Sequence, residues 1–508
     1  MKASSLFIFF SIFQHIVTAQ VSLQGIGLSY GAYQVGFDHY IKNDQTRSYI
    51  RTNDFTGKVL PRPISISIWY PAILKTAPKP MTVVDYMRVL KEEEEWEVLP
   101  DNRILDWFYY NNSESNKIHL KETVHAQRKA KPSVGKFPVV IYAPSYQASS
   151  AENFALCELL SSYGYIVISS PSRGTGSQRL DGGTTRDLET QARDIQFLIA
   201  EISGNPNAEL SNLSVIGFSF GGISNVLAQM MDKRIRSVIC LDGSVRYQFD
   251  NLKRSPYFNI ENFDVPFLFM AQKQIPEQVM QEDNIDSSLN SSFAFFDSLT
   301  RSNAHYYRFN DLTHVYFSTM GILFADRDRR QDKSDSAIMK AYRLMTVYTL
   351  NFLNSVVKED SIAKVFLAKD LIKNDSRDES IEKLSEKKAV IVPFTFQDFH
   401  HLALKENYQF LPALYASIKT SHPEYKIEER KLNTLGLSLL FRNQTEAGIN
   451  VLTFTTMLFP ESSNAFDSLG EGFLIVNDKG NAIENFRISL KLNPQNQNAT
   501  ERLKVLQK

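Results

Sequence analysis

The chain has 508 residues, enough for two or three domains at ~150 residues each and for a sizeable apolar core. Its 56 acidic and 56 basic side chains cancel, and no arginine-rich tract disturbs the balance. That excludes a global basic field able to draw nucleic acid or an anionic membrane. Two cysteines, Cys157 and Cys240, stand far apart in apolar surroundings. A disulfide between them is open, with two buried thiols the favoured reading. Neither has a second cysteine or a histidine at ligand spacing, so no zinc site, and no other cofactor, is implied.

Residues 1–19 read as a secretory signal peptide. Lys2 supplies the positive start, Leu6 to Phe13 the apolar core, and Val17-Thr18-Ala19 a small-residue cleavage site before Gln20. That core is too short to span a bilayer, and no later segment reaches the length of a span. The expectation is an exported protein, secreted or periplasmic, with no integral membrane span.

Residues 20–355 read as an α/β domain. Extended runs cover Tyr30 to Tyr40, Arg47 to Arg51, and Pro63 to Pro71, where Ile64 to Ile68 alternates apolar and polar residues as a half-buried strand does. Residues 72–135 interrupt the pattern as an insertion placed where a cap would sit. It holds the run Glu92-Glu93-Glu94-Glu95, expected on a solvated helix face, and the aromatic cluster Trp107-Phe108-Tyr109-Tyr110. From Phe137 strand and helix alternate. Phe137 to Ala143 is the nearly continuous apolar run of a parallel strand buried on both faces. Helices follow at Ala151 to Tyr163 and Thr185 to Ile202, with further strands at Tyr165 to Ser169, Arg236 to Leu241, Val265 to Ala271 and His305 to Phe309. Such units give a doubly wound, mostly parallel sheet with its active site at the carboxyl ends of the strands. Residues 321 to 355 look helical and close the domain.

Within this domain, Leu213 to Phe218 is a short β-branched run that enters Gly217-Phe218-Ser219-Phe220-Gly221, and a helical segment leaves it. Strand, Gly-x-Ser-x-Gly turn and helix are the context of a nucleophile elbow. A serine hydroxyl needs a neighbouring base to take its proton. The chain order serine, acid, histidine then points to His314, in the loop after the last strand; His305 sits at a strand start, the wrong end. For the acid, Asp242 closes the strand after the nucleophile, while Glu277 and Asp283 compete one strand later. One oxyanion donor is the backbone N–H of Phe220, and the second comes from Tyr146 or Ser145 in the loop after Ala143.

Arg62-Pro63-Ile64, Trp69-Tyr70-Pro71, Phe137-Pro138-Val139-Val140, Gly217 to Gly222 and Cys240-Leu241-Asp242 together carry a resemblance. Over roughly residues 28 to 320 the chain resembles plasma-type platelet-activating-factor acetylhydrolases and the related dienelactone-hydrolase-like esterases. The resemblance implies an α/β-hydrolase fold, an acid at Asp242 rather than Glu277, and oxyanion donors at Tyr146 and Phe220. It departs from the family in having Pro144-Ser145 where His-Gly usually follows the first parallel strand.

Residues 356–428 are expected to form a helical connector, charged and lysine-rich around Lys373 to Lys388. Its His400-His401 pair points to different helix faces and suits no shared metal. Residues 429–508 carry an internal repeat. Pro460 and Pro494 are 34 residues apart, as are Leu435 and Leu469, Gly436 and Gly470, Leu440 and Leu474, Gly448 and Ala482, Ile449 and Ile483, and Leu452 and Phe486. That period is the tetratricopeptide signature, an all-α array in which neighbouring helix pairs cover each other's apolar faces. Such repeats dock a protein partner, brace the enzyme or drive self-association.

The leading expectation is a secreted serine esterase acting on short-acyl or phospholipid-type esters through Ser219, His314 and Asp242. An exported peptidase or amide hydrolase on the same triad is the alternative among enzymes. A binding protein with an inert hydrolase domain is the alternative outside them.

Overall fold

The computed structural model describes residues 21–73, 80–282, 286–327, 330–368, 380–390 and 393–507. The expected signal peptide and Asp283 lie outside these residues. The chain forms two compact units, Met1–Val390 and Ile391–Lys508.

The first unit is built on one sheet. Its strands are β1 (Gln34–Ile50), β2 (Val59–Ile73), β3 (Ala126–Arg128), β4 (Lys131–Pro132), β5 (Phe137–Ala143), β6 (Ile166–Ser169), β7 (Ala208–Phe218), β8 (Ile235–Leu241), β9 (Phe267–Ala271), β10 (Ala304–Phe309) and β11 (Ile381–Lys387). They lie in the order β11-β10-β9-β8-β7-β5-β6-β2-β1-β3, with β4 beside β2. β1 and β2 are antiparallel, β2 meets β6 antiparallel, and β6, β5, β7, β8, β9 and β10 run parallel. This is a mostly parallel sheet with an antiparallel edge, the doubly wound α/β arrangement expected from the sequence. Val139, Val140, Ile141, Val215, Ile216, Val238 and Ile239 are completely buried, because helices cover both faces of the sheet. The winding reverses at β5, since β6 lies on one side of it and β7 on the other. Crevices that take ligands open beyond the carboxyl ends of strands at such a switch point.

Three expectations change in the structure. The first concerns the two early runs, Tyr30 to Tyr40 and Arg47 to Arg51. They belong largely to one strand, β1, whose pairing with β2 shifts register between Asp44 and Ser48.

The second concerns the glutamate run. Glu93 and Glu94 are buried rather than solvated. Glu93 closes the helix Val83–Glu93 and accepts hydrogen bonds from the Ser150 N–H and hydroxyl. Glu94 pairs with Arg173 at 2.7 Å. Burial pushes the Glu93 carboxyl up to about 7 against the pull of Arg173 and its serine partners. The insertion is therefore partly built into the domain. Its Tyr86 hydroxyl accepts from Trp69 Nε1 at 2.8 Å and donates to Glu158 at 2.7 Å, a buried chain with each step satisfied.

The third concerns the expected helical connector. Residues 381–387 form strand β11, antiparallel to β10 from Ala304↔Lys387 to Phe309↔Ile381. Only Ile381 of this strand is buried. The charges that make it look like a solvated helix suit an edge strand, where lysines discourage further pairing. The α/β unit thus runs to Val390 instead of ending at 355.

The second unit is helical. Helices cover Phe396–Lys405, Leu411–Ser421, Glu429–Phe441, Thr445–Leu458, Ser463–Ile475, Lys479–Leu492 and Gln497–Leu506. From Glu429 onward the helix starts recur at the 34-residue interval seen in the sequence. A Cβ at Gly436 would meet Leu452 at 2.6 Å, and one at Gly470 would meet Phe486 at 2.8 Å. Each glycine lets the paired helices of its own hairpin approach. Among the described residues, no helix is long and apolar enough to cross a membrane. Cys157 and Cys240 are buried free thiols.

A chain cut after Val390 is expected to unfold in one cooperative thermal transition. One cut after Ser355 loses β11 and the buried Ala363 and Leu367, and is expected to melt several degrees lower. Equal melting temperatures would show that β11 adds nothing to the sheet.

Candidate active site

Four strands deliver the site in step. Ala143, Gly217, Cys240 and Phe269 are joined across β5, β7, β8 and β9 by successive parallel ladders. The residues just beyond these strands therefore emerge together on one edge.

Ser219 follows β7 and begins the helix Phe220–Met231 with φ 52° and ψ −117°. A non-glycine residue rarely occupies that region, and holding it there costs ~1–3 kcal/mol. The surroundings enforce it. Ser219 N–H donates to Leu241 O at 3.1 Å, and Ser219 O accepts from Ser244 N–H at 2.8 Å. A Cβ at Gly217 would lie 2.3 Å from the Gly221 carbonyl carbon, and one at Gly221 would lie 2.0 Å from Ala143 O. Only glycines let strand and helix meet this closely.

Ser219 Oγ lies 2.9 Å from His314 Nε2, and His314 Nδ1 lies 2.6 Å from Asp242 Oδ2. Asp242 is completely buried, whereas the His314 side chain is 32 % exposed and reachable from solvent. With Nδ1–H donated to the carboxylate, Nε2 is left free to accept the Ser219 proton. The Asp242 backbone is itself unusual, with φ 41°, and its N–H donates to Met270 O at 2.7 Å. The Phe218 ring lies against the imidazole with centroids 5.0 Å apart.

The structure thus brings Ser219, His314 and Asp242 together. Glu277 begins a short helix, Glu277–Glu282, on the surface and has no contact with His314. Phe220 and Tyr146 carry backbone N–H groups that have no protein acceptor among the described residues, and their rings meet edge to face at 5.7 Å. Ser145 does not offer such a group, because its N–H is held by Glu152 at 2.8 Å.

Two polar residues escape a reading of motifs. Gln272 lies just beyond β9. Its N–H donates to Asp242 Oδ1 at 3.1 Å, and its Oε1 accepts the His314 N–H at 3.1 Å. It therefore holds both Asp242 and the His314 loop, and its place beyond a strand end was the available signal. Glu152, in the turn before the helix Phe154–Ser162, is the other. Burial pushes its carboxyl up to about 7, opposed by hydrogen bonds from Ser145.

Beside Tyr146 opens a cavity of about 560 Å³, lined by Trp96, Trp107, Phe108, Tyr110, Met320 and Arg179 together with Glu152. The aromatic cluster of the insertion therefore forms one wall of the space next to the Tyr146 loop. Among the described residues no group of three or more His, Cys, Asp or Glu side chains is arranged to hold a metal ion.

No family model matches the sequence. No curated protein matches it either. Among solved structures, a ferulic acid esterase from Streptomyces cinnamoneus aligns at 15 % identity with a TM-score of 0.49, over 71 % of this chain and 99 % of its own.

Replacing Asp242 with Asn keeps a hydrogen-bond partner for the imidazole but favours the wrong tautomer. The expected loss is about 10⁴ in kcat on an activated ester. Glu277→Gln is expected to be silent. Measured side by side, a crippled Glu277→Gln with a normal Asp242→Asn would move the acid one strand later.

Proposed function

We propose that the chain is a serine hydrolase of carboxylic esters with a short acyl group, phospholipid-type esters among them. The observation that carries this reading is the unbroken chain from Ser219 Oγ through His314 to buried Asp242, with the serine raised on a strained strand-to-helix turn.

In this reading Ser219 Oγ attacks the ester carbonyl while His314 Nε2 takes its proton. Asp242 stabilises the imidazolium that results. The N–H groups of Phe220 and Tyr146 receive the negative oxygen of the tetrahedral intermediate. His314 then gives its proton to the departing alkoxide, leaving Ser219 acylated. A water activated by the same imidazole releases the acid. The aromatic-walled cavity beside Tyr146 takes the apolar part of the ester.

The leader over residues 1–19 supports export, and exported material should begin at Gln20 when its N-terminus is sequenced; retention of the first 19 residues there would contradict it. The 34-residue helix pairs of the second unit support a tetratricopeptide-like role in docking a partner or in self-association.

The test is covalent labelling by a fluorophosphonate followed by peptide mapping, with turnover of p-nitrophenyl esters of increasing chain length. Label should fall on Ser219, and Ser219→Ala should lose about 10⁶ in kcat, as removal of the nucleophile does in serine triads. Acetate and butyrate esters should turn over faster than dodecanoate. Label on another serine would displace the nucleophile, and a preference for the longest chains would overturn the short-acyl assignment.

A further inference from the structure

The loop that carries Tyr146 is held at its base by a carboxyl group that the reaction itself does not use. Ser145 N–H donates to Glu152 Oε2 at 2.8 Å, and the Ser145 hydroxyl donates to Glu152 Oε1. The Tyr142 hydroxyl reaches Oε2 more weakly, at 3.4 Å. Both oxygens thus receive donors, the pattern that suits an ionised carboxylate.

The peptide plane beyond Ser145 is pinned as well. It contains the Ser145 carbonyl, which accepts from Ala148 N–H at 3.2 Å, and on its other side the Tyr146 N–H. Gln147, held at φ 57°, bridges to the opposite loop through Gln178 O at 3.0 Å and Leu180 N–H at 3.0 Å. With Ser145 clamped before it and Gln147 after it, the Tyr146 N–H has one direction to point.

The same turn grips the histidine loop. Glu152 O accepts from Met320 N–H at 3.1 Å. Asn153 donates to Phe317 O at 3.0 Å and accepts from Thr319 N–H at 3.0 Å. Consecutive residues therefore tie the oxyanion loop and the segment following His314 to one point. The charged and titratable groups around Glu152 are Tyr142 from β5, Tyr110 from the insertion and His314 from the loop after β10, with Glu94, Asp106, Tyr109, Tyr146 and Arg179 further round the cavity. None of these forms an ion pair with it, so Ser145 is its main support.

We propose that Glu152 is a positioning residue of the oxyanion hole, acting through Ser145 to aim the Tyr146 backbone N–H at the carbonyl oxygen of an ester bound to Ser219. This rests on the reading of Ser219 as the acylated nucleophile. Burying a carboxylate is costly, and a glutamine of nearly the same shape would fill the space at less cost. A glutamine could still keep both contacts, its oxygen accepting from the Ser145 N–H and its NH₂ donating to the Ser145 hydroxyl, whereas an alanine leaves both Ser145 groups without that partner.

The test compares the full-length chain with Glu152→Ala, using p-nitrophenyl acetate for turnover and an alkyl trifluoromethyl ketone as a tetrahedral analogue. Glu152→Ala is expected to lose about 10² in kcat, the lower end of what loss of one oxyanion donor costs, with KM changed by less than about threefold. Affinity for the ketone should fall by the same factor as kcat, which a loss of folded protein alone would not produce. A kcat within about threefold of the unaltered chain, or a fall in kcat without a matching fall in ketone affinity, overturns the proposal. Should Glu152→Ala fail to fold, Ser145→Ala decides. It removes one of the two anchors and should lower kcat and ketone affinity together by about 3- to 10-fold, and undiminished values overturn the proposal. If the unaltered chain neither takes the fluorophosphonate nor cleaves esters, the function itself fails and this inference with it. Normal turnover by the unaltered chain with an undiminished Glu152→Ala refutes this inference alone.

Discussion

The site depends on one backbone constraint, the turn at Ser219. Side-chain placement follows from it, because φ 52° and ψ −117° lift the hydroxyl out of the plane of β7 and toward the histidine loop. The ~1–3 kcal/mol stored there is supportable only in a rigid frame. The largely buried strands β5 and β8 on either side supply that frame, and Gly217 and Gly221 remove the atoms that would otherwise occupy the turn.

Once the serine is fixed, the electrostatics come from depth. Asp242 lies completely buried, where the effective dielectric is low and a carboxylate acts strongly on an adjacent imidazole. Such a charge is stable only with its oxygens satisfied, which His314 Nδ1 and Gln272 N–H achieve at 2.6 and 3.1 Å. Gln272 also holds the backbone of His314. Orientation of the imidazole is thereby shared between a strand-end glutamine and Asp242, and the loop between β10 and His314 has little freedom to move the ring.

Much of this was legible in the chain itself, and the limits have physical causes. Gly217 to Gly221 and the runs 137–143 and 213–218 announce themselves because a tight turn and a doubly covered strand each demand particular residue types. Asp242 and His314 were found by their place after strands, and the structure puts both in hydrogen-bond reach of the site. The burial of Glu93 and Glu94 was not legible. It depends on Ser150 and Arg173, residues more than fifty positions away in the chain. β11 was hidden for a different reason: an edge strand with one buried residue has almost no apolar pattern, and its charges resemble those of a solvated helix. Glu152 stayed hidden because a single glutamate carries no motif. Its meaning lies in the two hydrogen bonds it accepts from Ser145.

The central claim is that Ser219 becomes acylated during ester turnover. Rapid mixing of the enzyme with p-nitrophenyl acetate, quenching in acid within milliseconds and mapping the modified peptide by mass spectrometry addresses it directly. The account predicts a burst of p-nitrophenolate stoichiometric with enzyme and an acetyl group on Ser219 that disappears as substrate is exhausted. Turnover with no burst and no acetylated Ser219, or with the acetyl group on another side chain, would contradict it.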